Sequence, residues 1–393
     1  MIPKLLLATF LLGATTFAQS VNPGKDWERS KPEAEGYSSK RLEALKGYLA
    51  TIDTTAMMAV HRGKVIFEYG DVASQEFQVQ SVRKSLLALL NGKYVADGRI
   101  KLEATLDDLG IDDVGGLLPR EKRATVRHLL TARSGVFHKN VNPNGGDNLW
   151  AAPPRGTQQP GTYFLYNNWD FNVAGSIFEK QTGLDIFDAF EKDIAEPTGL
   201  QDFDRRLQAK ESDDPTLSNH PAYRFSLTVR DMARIGQLML QSGRWGERQV
   251  VPADWIKTIT SLVTPVDQFN PPSERYWAYA EGRPSGYGYM WWVWEDRNSF
   301  GPFRGAFSAF GGGHAITVLP ALDLVVAHKN GPERAKAAAT SCGRSSVSRG
   351  AAAAHHRALW PFVRLTRHRV SSSTNPGKRA KQVLAETVER SRP

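Results

Sequence analysis

The segment Ser81-Val-Arg-Lys-Ser-Leu-Leu-Ala-Leu-Leu sets a serine three residues ahead of a lysine at the head of an apolar run. At helical spacing the two side chains share one face about one turn apart, near enough to hydrogen-bond. The leucines that follow say that the helix is buried, so Lys84 is not on an obviously solvated face. A buried lysine without a task is rare. Two readings follow. In one, Ser81 is a helix cap with a lysine behind it, and a Ser-x-x-Lys is expected about once by chance in such a chain. In the other, Ser81 is a nucleophile and Lys84 its base. The lysine must then be neutral, its pKa brought from about 10.4 to near neutrality at a cost of about 4 kcal/mol. Burial and the positive end of a helix both act in that direction.

A second stretch bears on the choice. In "QQPGTYFLYNNWDF" a Pro160-Gly161 turn precedes Tyr166 and Asn168, which stand between that turn and a helix start. Side chains so placed can be held over a cleft. Tyr166 can relay a proton between nucleophile and leaving group, and Asn168 can orient Lys84 and a substrate carbonyl. Trp169 is a candidate for the cleft wall. By itself the stretch is equally a core tyrosine with an Asn-containing turn.

The rest of the chain reads as a mixed fold. Residues 57–70, "MMAVHRGKVIFEYG", form a hairpin with His61, Arg62 and Gly63 at its turn. Helical grammar follows at 81–97, from Thr125, at Asn168 to Gly183, and at Ser226 to Gly243 with Thr228 as cap. Strands return at "GYGYMWWVW", "FSAFGGGHAITVLP" and "LDLVVAHK". Strands at both ends with helices between them predict a sheet assembled from distant parts of the chain. The aromatic run Tyr287–Trp294 reads as core strand rather than as binding wall.

Charge excludes one class of partner. The net charge of +9 invites a nucleic-acid reading, but residues 334–393 hold 13 Lys or Arg against 2 Asp or Glu, and residues 1–333 hold 37 against 39. The body is nearly neutral, and neither a nucleic-acid partner nor a stable membrane insertion is expected. The tail is read as disordered or loosely attached, with residues 380–390 as a short helix. A functional basic arm and an altered reading frame are its two alternatives. The N-terminus has one lysine, an apolar run from Leu5 to Phe17, and small residues Thr16 and Ala18. It predicts a signal peptide over residues 1–18 and export to a bacterial periplasm or the medium. The single cysteine, Cys342, can form no internal disulfide.

Taken together, "SVRKSLLALLNGKYVADGRIKLEATL", "ATVRHLLTARSGV", "PGTYFLYNN", "VAGSIFEKQTG", "AEPTGLQDF", "SLTVRDMARIGQLML" and "GYGYMWW" resemble the penicillin-binding, β-lactamase-like serine hydrolases. The likeness is to the branch related to class C β-lactamases and their esterase and amidase relatives. It spans residues 33–332. It implies an α/β (α+β) fold with a central antiparallel sheet flanked by helices, and an inserted mainly helical subdomain over roughly residues 100–230. It implies Ser81, Lys84 and Tyr166 as catalytic residues and Asn168 as a substrate-binding one.

The third family element departs from the pattern. Members that act on β-lactams carry Lys-Thr-Gly on a strand edging the site, whereas the corresponding strand here, "FSAFGGGHAITVLP", has no lysine. Phe310 and Gly311, or Gly312 and Gly313, are expected at the strand edge, where glycines let backbone N–H groups approach an oxyanion. Loss of that cation favours an ester or amide without a carboxylate. His314 is read as a strand residue or site-wall contact, since no Gly-x-Ser-x-Gly elbow accompanies it. His61 and His128 are read as structural or solvated. No spacing of His, Cys or carboxylates resembles a metal site, and no cofactor is expected.

The expectation is an exported serine hydrolase that acylates Ser81 and acts on a small ester, amide or cell-wall-derived molecule, its oligomeric state left open. A true β-lactamase or D,D-carboxypeptidase, and a non-catalytic acylation sensor, are the alternatives.

Overall fold

The computed structural model describes residues 22–331, apart from 77, 144–146, 276–285 and 295–300. The expected leader, the basic tail and Cys342 lie outside the described residues. The chain opens with α1 (Ser39–Leu49), the hairpin β1 (Thr54–His61) and β2 (Lys64–Gly70), and α2 (Val82–Ala96). Then come α3 (Val126–Leu130), α4 (Asn168–Thr182), α5 (Ile186–Phe190) and α6 (Glu196–Thr198). The short pair β3 (Ala209–Glu211) and β4 (Ala222–Arg224) precedes α7 (Val229–Leu240). A second pair, β5 (Arg244–Trp245) and β6 (Arg248–Gln249), leads to α8 (Ala253–Ile259). The last strands are β7 (Thr264–Pro265), β8 (Gly286–Tyr287), β9 (Trp292–Val293), β10 (Phe307–Gly311), β11 (His314–Leu319) and β12 (Leu324–Asn330).

Eight strands make one antiparallel sheet in the order β2-β1-β12-β11-β10-β9-β8-β7. The N-terminal hairpin joins the C-terminal strands through β1 and β12, from Thr54 opposite Asn330 to His61 opposite Leu324. The helices from α2 to α8 therefore lie between two halves of one sheet, as the strand–helix–strand order predicts.

Both faces of the sheet are covered, which is why β1 reads as an unbroken apolar run instead of alternating. On one face Met57, Ala59, Leu324 and Val326 pack with Leu42, Leu45 and Leu49 of α1. On the other, Met58, Val60, Ile316, Val318, Val325 and Ala327 pack in one cluster with the leucines of α2 and with Met232, Ile235, Leu238 and Met239 of α7. Each of those four α7 side chains stabilises the layer by about 2 kcal/mol. α7 begins where Thr228 accepts from the Asp231 N–H, as its cap grammar requires.

Two of the expected strands turn back on themselves. Residues 286–294 form the hairpin β8–β9, with Met290 at φ +58° in its turn. Residues 307–319 form β10–β11, reversed at Gly312 (φ +59°) and Gly313 (φ +87°). A two-residue hairpin turn wants positive φ at both central positions, and consecutive glycines supply it without strain. His61 ends β1 buried, with Nδ1 2.9 Å from Glu35 Oε2. His128 serves α3, its Nδ1 accepting from the Thr125 N–H at 3.1 Å. Among the described residues no helix is long and apolar enough to cross a membrane.

Candidate active site

Ser81 stands at the N-cap position of α2, yet its side chain makes no capping hydrogen bond. A capping hydroxyl works from extended backbone, whereas Ser81 is already helical at φ −70°, ψ −7°. Gln80 before it is held at φ +47°, a region costly for a residue with a Cβ. The hydroxyl turns instead toward Lys84. Lys84 Nζ donates to Ser81 Oγ at 2.8 Å and to Tyr166 Oη at 2.7 Å. Lys84 Nζ thus bridges the two hydroxyls.

The surroundings favour the uncharged forms of the amine and the phenol. Lys84 is 2% exposed, with Nζ 4.3 Å above the Tyr166 ring and 4.6 Å above that of Phe171. Burial holds the amine well below its ordinary range, the Arg83 and Arg224 cations add to this, and Asp147 opposes it. Burial likewise raises the Tyr166 phenol, against the nearby Ser81 hydroxyl. A neutral amine between two hydroxyls can accept a proton from one and return it through the other.

Three elements hold these groups in place. α2 carries Ser81 and Lys84 one turn apart. It is pinned by Arg83, whose Nη2 donates to Asn172 Oδ1 at 2.7 Å and whose guanidinium lies 4.4 Å above the Tyr223 ring. Tyr166 precedes α4, which Asn167 caps by accepting from the Trp169 N–H at 3.0 Å. Its ring stacks on Trp292, with centroids 5.6 Å apart and planes at 28°.

The third element is the end of β10. A Cβ placed on Gly311 would lie 2.3 Å from Ser81 Cβ and 2.6 Å from its backbone nitrogen, and one on Gly312 would meet the Gln80 side chain at 2.6 Å. Only a residue without a side chain lets the strand end rest on the serine. Gly311→Ala is accordingly expected to slow covalent labelling of Ser81 by about 100-fold or more, with the fold retained by circular dichroism. An unchanged labelling rate would show that the strand end does not set the serine's position.

The other sequence candidates fall into place around this contact. Asn168 is buried at the first position of α4, its N–H donating to Asp147 Oδ2 at 3.2 Å. Phe310 is half-buried, its side chain leaving the opposite face of β10 from Gly311. Gly313 lies against the Asn330 side chain rather than the serine.

Two wall placements are corrected, while His314 keeps its reading as a strand residue, in β11. Trp169 is no cleft wall: it is 0% exposed and its Nε1 donates to Asp113 Oδ2 at 2.6 Å. As the second residue of α4 it points inward, with its ring edge-on to His220. His314 is also 0% exposed and therefore no contact on an open wall. It is paired across the turn with Gly311, and its Nδ1 accepts from the Asn330 N–H at 3.4 Å. Burial pushes it down to about 3, leaving a poor base, and Ser81 takes its hydrogen bond from Lys84. Ser-His chemistry is not what this geometry offers.

Sequence reasoning missed Trp292 and Asp147. Trp292 was hidden in an aromatic run of which it is the one half-exposed member among the described residues. Asp147 stands 19 residues before Tyr166 in a Gly- and Asn-rich stretch, where an aspartate is ordinary turn chemistry. No linear signal ties it to the lysine.

The model of the family described as Beta-lactamase matches residues 43–339. Among curated proteins, Monacolin J acid methylbutanoyltransferase of Aspergillus terreus is 28% identical over 162 residues, which is 34% of this chain and 38% of that protein. The chain thus matches little more than a third of that relative's length. Among solved structures, a Bacillus anthracis protein assigned as a 6-aminohexanoate-dimer hydrolase superposes with a TM-score of 0.58 at 18% identity. The match covers 88% of this chain and 90% of that one. A hydrolase with promiscuous acyltransferase activity superposes with a TM-score of 0.53 at 15% identity, covering 79% and 98%. At these identities the likeness to solved structures is one of fold.

Proposed function

Since this chain belongs to the beta-lactamase family, we propose that it forms an acyl-enzyme on Ser81 and hydrolyses an ester or amide bond in a small molecule. The observation that carries this reading is Lys84 bridging the Ser81 and Tyr166 hydroxyls under the Gly311 strand end. Ser81 Oγ attacks the substrate carbonyl while its proton passes to Lys84. The oxyanion is held by the Ser81 N–H, at the open first turn of α2, and by a backbone N–H at the end of β10. As the carbonyl re-forms, the bond to the leaving group breaks, and Tyr166 passes that group a proton and is reprotonated from Lys84. Water then attacks the acyl-enzyme, giving its proton to the same pair, which returns it to Ser81 Oγ as the bond from Oγ to the acyl carbon breaks and the acid leaves.

The β10 end bears Gly311, Gly312 and Gly313 where Lys-Thr-Gly would present a cation. An uncharged ester or amide therefore suits the site better than a carboxylate-bearing β-lactam. A second reading, acyl transfer to an alcohol instead of water, is favoured by the methylbutanoyltransferase relative. The leader pattern of residues 1–18 supports a periplasmic or secreted enzyme, to be checked by N-terminal sequencing of the mature protein.

The experiment is a panel of p-nitrophenyl esters, amino-acid p-nitroanilides and nitrocefin, run with and without an added alcohol acceptor. Ester or anilide turnover with little nitrocefin hydrolysis is expected. Preferential nitrocefin hydrolysis would make this a β-lactamase, and a new ester formed faster than free acid would make it a transferase. An acyl-enzyme that persists for hours by intact mass would make it a sensor.

A further inference from the structure

We propose that Asp147 is a positioning residue of this site, locking the turn that carries Tyr166 and Asn168 and setting a negative charge against the Lys84–Tyr166 pair. The inference rests on the reading of Ser81 as nucleophile and adds a residue that no motif contains.

The geometry is a clasp. Asp147 Oδ2 accepts from the Asn168 N–H at 3.2 Å and from Asn140 Nδ2 at 3.0 Å, and Oδ1 accepts from the Leu149 N–H at 3.1 Å. The next residue completes it, the Asn148 N–H donating to the Tyr166 carbonyl at 2.9 Å. One carboxylate and the backbone beside it thus hold both sides of the turn from Tyr166 into α4. Asn167 accepts from the Trp169 N–H, and Asp147 takes the Asn168 N–H, another donor the helix leaves unpaired. A carboxylate at a helix N-terminus is also electrostatically favoured.

Charge gives the clasp its second role. The groups acting on Lys84 are Arg83 on its own helix, Arg224 on β4, Asp147, and its hydrogen-bond partner Tyr166. Both arginines disfavour an ammonium there, and Asp147 is the anion that favours one. Asp147 is itself enclosed, burial raising its carboxyl while the three N–H donors and Lys84 lower it. When Lys84 takes the Ser81 proton, an ammonium appears that both arginines disfavour. Asp147 offsets that repulsion, at a stage when the free enzyme's neutral amine needs no help.

The test follows the rate of Ser81 labelling by a fluorophosphonate across pH in the full-length protein and in D147N and D147E. The probe reports on the nucleophile whatever the natural substrate is. In the parent, labelling should rise with pH as Lys84 loses its proton. Removing the anion makes Lys84 less basic, so D147N is expected to carry the acid limb to lower pH and to lower the plateau about tenfold. D147E keeps the charge and should keep the limb in place. A D147N limb that superimposes on the parent's would overturn the proposal, as would a limb displaced in D147E, which decides the matter if D147N does not fold. A parent protein that is never labelled at Ser81 removes the nucleophile reading, and this inference with it. A parent that is labelled beside an unmoved D147N limb removes this inference alone.

Discussion

Ser81→Ala is expected to abolish covalent labelling by a fluorophosphonate and to lower ester or amide turnover by at least about 10⁴-fold, the scale on which removal of a serine nucleophile acts. The fold should survive it. The hydroxyl makes no capping hydrogen bond, so its loss removes only its contacts with Lys84 and Tyr166, and the stability change should stay within about 1 kcal/mol. Both readouts are needed. Retained labelling would point to another nucleophile, whereas lost labelling with a collapsed thermal transition would mean that the serine holds structure after all.

Lys84→Met should lower turnover by about 10³-fold, since Ser81 loses the group that takes its proton, and should nevertheless stabilise the protein at neutral pH. The lysine is buried and its pKa lies well below the ordinary value, with burial the largest cause. Between its folded value and about 10.4 the unfolded chain carries a proton that the folded chain lacks. Parent stability therefore rises with pH through this window, by about 1.4 kcal/mol per pH unit. The methionine variant has no such slope. The gap in its favour should widen as pH falls from about 10 and level off below the folded pKa. It should exceed the two hydrogen bonds given up, about 1 kcal/mol each. Urea unfolding of both proteins from pH 6 to pH 9 measures this. Parallel curves would mean that Lys84 is charged in the folded protein and cannot act as the base.

Much of the layout was legible along the chain because it rests on local rules. The hairpin at residues 54–70, the caps at Thr125 and Thr228 and the helix from Asn168 to its glycine stop at Gly183 each follow from a few neighbouring residues. The aromatic run reads as a single strand because a turn made at Met290 carries little sequence contrast with the strands around it, whereas Gly312–Gly313 is a hairpin signal that reading those glycines as a strand edge passes over. Trp169 was misjudged for a related reason. Its neighbour Asn168 starts α4, and adjacent residues on a helix point about 100° apart, so nearness in sequence to the site said nothing of which way the indole faces.

From the residues alone it follows that a serine and a lysine share one helix face, that the helix is buried, and that the strand expected beside the site has glycines where a cation would otherwise stand. Burial follows from the leucines and the shared face from a spacing of three, both of which are local. The packing of the folded chain set which way Ser81 turns, away from its cap position and toward Lys84. It alone decided that Gly311, 230 positions later, rests on the serine, and that Asp147 and two arginines compete over the charge of one amine. Close packing and the electrostatics of a dry interior act over distances of a few ångströms, whatever the separation along the chain.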